Sequence, residues 1–270
     1  MSNSKNLVIS SAFGYSANQI SFFIKSLRRF YKDEIYFLIS PKDIQIKDLL
    51  RHYDCKFLEV NCHKNDIQLK RYSFYLEILK NQKYNKILHC DSRDIYFQAN
   101  PFEFKYHGSI NFFLEDEKLK NCKYNSNWIL KTYGKKNFKL LSDKIILCSG
   151  TIVANYESML EYLNLLKYHI KKYKYKKRLK YLLTFRRDKA GRGCDQAHAN
   201  YIGHNNLVKN SFFYKNVDGP IATVYHLKKI KFDDQLNLVN DNKVPYLIVH
   251  QYDKKIDLFK NTIKKIQKEI

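Results

Sequence analysis

No stretch of this sequence approaches the roughly 20 consecutive apolar residues of a membrane span. The opening MSNSKNLVIS has one lysine and then only a short apolar run before Ser10 and Ser11, too short for the core of a signal peptide. These absences predict a soluble, cytoplasmic protein, with the inner face of the membrane as its one peripheral location. There is also no C-x-x-C pair, and the six cysteines, Cys55, Cys62, Cys90, Cys122, Cys148 and Cys194, are scattered without the spacing of a zinc site or a disulfide framework. They read as reduced, intracellular thiols. Neither G-x-x-x-x-G-K-[ST] nor G-x-G-x-x-G occurs, which argues against a P-loop kinase and against a nicotinamide enzyme. Acidic residues are scarce: 26 Asp and Glu stand against 49 Lys and Arg, a net charge of +23. Such an excess calls for an anionic partner, and nucleic acid, phosphorylated sugars and an acidic membrane surface all qualify.

What is present is enough for a core. With 270 residues, 44% of them hydrophobic, and 22 Tyr and 18 Phe, the chain fits one large domain, or a domain with an appendage, and not a disordered one. NLVISSAF is strand-like and ends near Gly14. Ile20, Phe23, Leu27 and Phe30 follow at helical spacing. EIYFLIS and CKFLEVN read as further strands, a helix fits Lys64 to Gln82, and NKILHCD forms a fourth strand, the rhythm of a parallel, doubly wound sheet. Later come SINFFLEDE, KIILCSGTIVAN with an expected break at Gly150, and a helix over Tyr156 to Ile170 with Met159, Leu163 and Leu166 on one face. Between Lys171 and Arg192 there are eleven Lys or Arg and one acid, Asp188. ATVYHL and PYLIVHQY each carry a histidine at or near the end of a strand-like run, and the tail from Asp253 places Ile256, Phe259, Ile263, Ile266 and Ile270 on one helical face among lysines.

The stretch HCDSRDIYFQANPF puts Asp91 and Asp94 right after the fourth strand, at the end where open α/β sheets hold ligands. They are either metal ligands or turn formers, with a salt bridge to Arg93 as the plain alternative. His226 and His250 read either as packed strand-end residues or as ligands. Asp195 reads either as the N-cap of the helix that follows it or as a functional carboxylate.

The ordered set, an N-terminal βαβ region, CDSRD, S-G-T-I-V-A-N, the pair Asp195-Gln196 and HQYD at 250 to 253, resembles GT-A-fold glycosyltransferases of the nucleotide-diphospho-sugar transferase superfamily, in a subgroup with D-x-R-D and H-Q-Y-D signatures. The resemblance implies an α/β fold, a GT-A-like, Rossmann-type mixed sheet flanked by helices in a single domain with basic C-terminal helical elements. Its domain would cover 1–252, with a nucleotide-binding half of about 1–105 and a donor and acceptor half of about 106–252, followed by a basic amphipathic helix over 253–270. It implies Mn2+ or Mg2+ held by Asp91, Asp94 and His250, with His226 as the competing histidine. The usual acidic motif has one residue between its acids, where this one has Ser92 and Arg93. A nucleotide-sugar donor, UDP-linked, would meet Ser11, Ala12, Phe13, Gly14 and Tyr15 at the exit of the first strand, Arg71 and Arg93, and Ser149, Gly150 and Thr151. Asp195 and Gln196 would act at the donor sugar or the acceptor, and the glycine-flanked loop GRG before them would close over the donor. The acceptor would be a glycan or a lipid-linked molecule in bacterial surface polysaccharide or lipooligosaccharide synthesis. An anionic membrane surface is a further expected partner, through the basic segment 171–192 and the cationic tail, and nucleic acid is not. The competing classes are a nucleotidyltransferase of related fold, which would carry a basic, glycine-rich signature that SSAFGYS lacks, and a basic nucleic-acid-binding protein, which leaves CDSRD and HQYD without a purpose.

Overall fold

The four strand-like runs of the first half form β1 (Leu7–Ser11), β2 (Glu34–Ile39), β3 (Lys56–Glu59) and β4 (Lys86–Cys90). They alternate with α1 (Ala17–Arg28), α2 (Ile44–His52) and α3 (Ile67–Leu79), and they lie parallel in the order β3-β2-β1-β4. The structure, a computed structural model, describes residues 5–184 and 193–269. α1 starts where the sequence provides a complete capping box: the Ser16 hydroxyl accepts from the Gln19 N–H, and the Gln19 side chain accepts from the Ser16 N–H. Its Ile20, Phe23, Ile24 and Leu27 then reach the core at helical spacing.

The second half departs from the parallel rhythm. After β5 (Ile95–Phe97) come β6 (Ile110–Lys118), α4 (Lys123–Leu141), β7 (Ile145–Asn155), α5 (Tyr156–Thr184), α6 (Cys194–His204) and β8 (Ser211–Tyr214). β7 inserts between β4 and β6, antiparallel to both, and β8 joins β6 in parallel, completing a seven-stranded mixed sheet. β7 also runs through Gly150 without the expected break. β9 (Ile221–Thr223), β10 (Lys231–Phe232), β11 (Leu238–Val239) and β12 (Ile248–His250) follow, and α7 (Ile256–Glu269) is the last helix. A second sheet has the order β5-β12-β9, with β12 antiparallel to β5 and parallel to β9.

Helices cover both faces of the large sheet, as a sheet buried on two sides requires. Tyr72, Tyr75, Leu163, Leu166 and Ile202, from α3, α5 and α6, pack on one face, while α1 and α2 cover the other with Phe23, Ile24, Ile46 and Leu50. The apolar face of α7 is not free: Phe259 and Ile266 are buried with Tyr96, Leu238 and Val249, and Ile263 packs beside them. Phe259, Ile263 and Ile266 of the tail's apolar stripe therefore serve the core, while Ile256 on the same stripe is 41% exposed.

Candidate active site

β1 and β4 are neighbours and end at the same edge of the sheet. After β1 the chain turns tightly, with the Tyr15 N–H donating to the Ala12 carbonyl at 3.1 Å. Gly14 holds φ +80° in that turn, a conformation glycine adopts without steric cost. Phe13 packs inward against the core, so Tyr15 is the half-exposed aromatic of the loop. Burial and the nearby Asp91 carboxylate push its phenol above its ordinary range. The loop after β4 is tied to this one, because the Ser92 hydroxyl donates to the Ser11 carbonyl at 2.8 Å.

The two motifs distant in sequence meet here. D-S-R-D spans the turn from β4 to β5, and H-Q-Y-D starts on β12, whose His250 pairs with Ile95 of β5. The Gln251 N–H donates to the Asp94 carbonyl at 2.7 Å, and Arg93 lies 3.0 Å from Asp253. Arg93 approaches Asp94 only at 3.8 Å, and the partner of Asp91 is Arg71. Asp91, Asp94 and His250 each offer a ligand atom, all within 4.8 Å of one another. His250 Nε2 is 3.8 Å from Asp91 Oδ2 and 3.7 Å from Asp94 Oδ1, too far for hydrogen bonds, and it is buried without a hydrogen-bond partner among the described residues. Two ligands of one small cation, each about 2.1 Å from it, are separated by roughly 3 to 4.2 Å, so this spacing fits a shared ion. Two carboxylates and an imidazole suit manganese better than magnesium.

Charge is arranged to match. Burial disfavours an ionised Asp91, but Arg71 and His250 outweigh it and hold the carboxyl below its ordinary range. Asp94 is raised, chiefly by burial. Burial also opposes charge on His250, but Cys148, whose Sγ is 3.3 Å from Nδ1, and the two aspartates push the imidazole up to about 10. A proton on His250 thus occupies the electrostatic position of a cation, and metal binding would displace it.

Behind the cluster sits Arg71 of α3. Its Nη1 donates to Asp91 Oδ1 at 2.7 Å, and its Nη2 donates to Asp195 Oδ2 at 3.0 Å. The N-cap of α6 is Gly193, so Asp195 is not the helix cap but a buried residue of the first turn. Its carboxylate faces Arg71 and the Tyr72 hydroxyl, and burial raises it while Arg71 pulls it back.

The neighbouring Gln196 also faces inward. β7 extends beyond the end of β4, which leaves its edge at 145–149 without a strand partner on that side among the described residues. α6 takes over. Gln196 accepts from the Ser149 N–H at 2.8 Å and donates to the Leu147 carbonyl at 2.7 Å. Asn200 bonds both backbone groups of Leu147 at 2.9 Å, and His204 Nε2 donates to the Ile145 carbonyl at 2.8 Å. The i, i+4, i+8 spacing of these polar side chains along α6 puts them on one face, and that spacing was the available sequence signal for a role sequence reading missed. Gly150 lies beyond this ladder, and its carbonyl accepts from the Asp91 N–H at 2.9 Å. Thr151 is buried, and its hydroxyl has no partner among the described residues.

Comparison with known proteins bears on the architecture. No protein-family model matches the chain, and no curated protein does. Among solved structures, the crystal structure of mouse xyloside xylosyltransferase 1 in its apo form superposes with a TM-score of 0.51 at 13% identity, over 91% of this chain and 97% of that one. The fold is GT-A-like. Within this GT-A-like fold the structure brings together Ser11 to Tyr15, Arg71, Asp91, Asp94, Gly150, Asp195 and His250. Residues 185–192, with most of the expected closing loop, lie outside the described residues.

His226 belongs to a different place. Its Nδ1–H donates to Glu115, and its other side faces Cys122 at the start of α4. Burial would raise the Cys122 thiol, but His226 and the N–H groups of Asn125 and Tyr124 bring it down to about 7, while burial raises Cys55 to about 11 and Cys90 well above its ordinary range. In an ultraviolet titration of thiolate absorbance, one early inflection should vanish in Cys122→Ser and move upward in His226→Gln. An unchanged first inflection in Cys122→Ser would disprove the pairing.

Proposed function

We propose that the protein is a glycosyltransferase that moves a sugar from a nucleoside diphosphate sugar to an acceptor hydroxyl, with a divalent cation held by Asp91, Asp94 and His250. The observation that carries this reading is the convergence of those three side chains at the strand ends of a GT-A-like fold, around a buried imidazole nitrogen with no hydrogen-bond partner among the described residues. A cation there would neutralise charge on the departing diphosphate. The chain's own residues supply the rest. The turn after β1 lets a nucleotide approach the backbone at Gly14, and Tyr15 offers its ring for stacking on the base. Arg71 fixes one oxygen of Asp91 and leaves the other turned toward His250. Asp195, only 3% exposed, acts through Arg71 as a positioning residue, and Gln196 positions Ser149 and Gly150 by clamping β7. A UDP-linked donor and a glycan or lipid-linked acceptor are the substrates this reading favours, since a strongly basic protein attracts anionic molecules.

The test is melting temperature with nucleoside diphosphates, with and without manganese. UDP at about 100 times its dissociation constant should add roughly 2.7 kcal/mol of stability only when the metal is present. A panel of UDP-sugars should then release UDP in the presence of manganese. A metal-independent shift of the same size, with no release from any sugar nucleotide, would refute the proposal.

A further inference from the structure

α5 is apolar on two opposite sides, and among the described residues only one of them is packed. Met159, Leu163, Leu166 and Ile170 form the buried stripe against the large sheet and its helices. Tyr168, Tyr175, Leu179 and Leu182 form another, and they are 57%, 69%, 46% and 59% exposed. Their spacing returns each to within about 60° of the others on a helix of 3.6 residues per turn, on the side opposite the buried stripe. Exposed cations border this second stripe on both flanks, Lys171 and Arg178 along one and Lys172 and Lys176 along the other. No Asp or Glu occurs from Tyr162 to Thr184.

We infer that this outer face of α5 docks on an anionic lipid bilayer. The chemistry of the face selects that occupant. Leucines and tyrosine rings enter the headgroup region, and long cationic side chains on both flanks keep their stems on the apolar boundary while their heads meet lipid phosphates. A single-stranded nucleic acid would also meet the charge and the tyrosine rings, but exposed leucines give it no π-face to stack on. The face lies along the surface and does not cross the membrane, since no described helix is long and apolar enough to span one. The inference stands on α5 alone and goes beyond the proposed transfer reaction.

The test is co-sedimentation of the full chain with vesicles of phosphatidylcholine alone or mixed with phosphatidylglycerol. Binding is expected to the mixed vesicles only and should be lost at high salt. Tyr175→Ser/Leu179→Ser/Leu182→Ser should weaken it tenfold or more at unchanged melting temperature. Lys171→Glu/Lys172→Glu/Lys176→Glu should weaken it by about fivefold or more per position. Equal binding to both vesicle types, or full binding by the leucine variant, would overturn the inference. So would a face that ignores vesicles and binds a random RNA oligonucleotide instead. The assay contains no sugar nucleotide, so its failure would leave the transfer reaction untouched.

Discussion

Gly150→Ala should abolish metal-dependent nucleotide binding while leaving a folded protein. A Cβ at this position would lie 2.4 Å from His250 Cε1 and 2.7 Å from Asp91 Oδ2, in the middle of the proposed ligand set. The backbone has little room to retreat, because the Gly150 carbonyl accepts from Asp91 and the preceding residues are clamped by Gln196 and Asn200. The added methyl must therefore displace the ligands themselves. Overpacking of this kind costs about 1–3 kcal/mol, or a few degrees of melting temperature, while the loss of ligand geometry should weaken binding of manganese with UDP by a hundredfold or more. Asp91→Asn, which keeps the volume and removes the charge, should match the binding defect. If Gly150→Ala keeps the full manganese-dependent thermal shift, the cation does not sit between Asp91 and His250.

Removing the arginine behind the site should act first on stability. Arg71 and Asp195 are 9% and 4% exposed at their side chains, and Arg71→Ala leaves Asp195 buried without its cation. Breaking a buried pair on one side costs about 3–5 kcal/mol. At about 2–4 °C per kcal/mol for a domain of this size, the melting temperature should fall by roughly 10 °C. Nucleotide binding should weaken too, since Asp91 loses the bond that orients it. The decisive comparison is Arg71→Ala/Asp195→Asn, in which the uncompensated carboxylate becomes a neutral amide. It should recover a large part of the lost stability without recovering metal-dependent binding. Equal melting temperatures for the single and double variants would show that the ion bridge is not what holds this region together.

The first half of the fold was legible because the strand and helix periods there are clean, and strands joined through helices return in parallel. The direction of β7 was not, since the alternation of elements carries no statement of which way a strand runs once it is inserted between two others. α4 escaped notice for a local reason: few of its residues are buried, and Gly134, at φ +81°, interrupts its helical backbone. At the site, Asp91, Asp94 and His250 were readable as acids and a histidine at strand ends. The partner of Asp91 was not, because Arg71 approaches from another element and Arg93 is closer in sequence. Asp195 shows the limit of capping rules, which describe the residue at a helix start but not a neighbour that Gly193 displaces into the first turn. The tail was legible as an amphipathic helix, yet amphipathicity alone does not say whether the apolar face meets lipid or the protein's own core.

The ladder of Gln196, Asn200 and His204 has a consequence for association between molecules. β7 lies inside the sheet, yet over 145–149 one of its sides is an edge, and an uncovered edge is a template on which a foreign strand can add. α6 supplies amide and imidazole groups where another chain's backbone would otherwise dock, in effect a strand's hydrogen bonds delivered by side chains. The same contacts that hold Gly150 against the site therefore deny this sheet a seam for edge-to-edge aggregation, and a variant that shortens those side chains would loosen the site and open the seam at once.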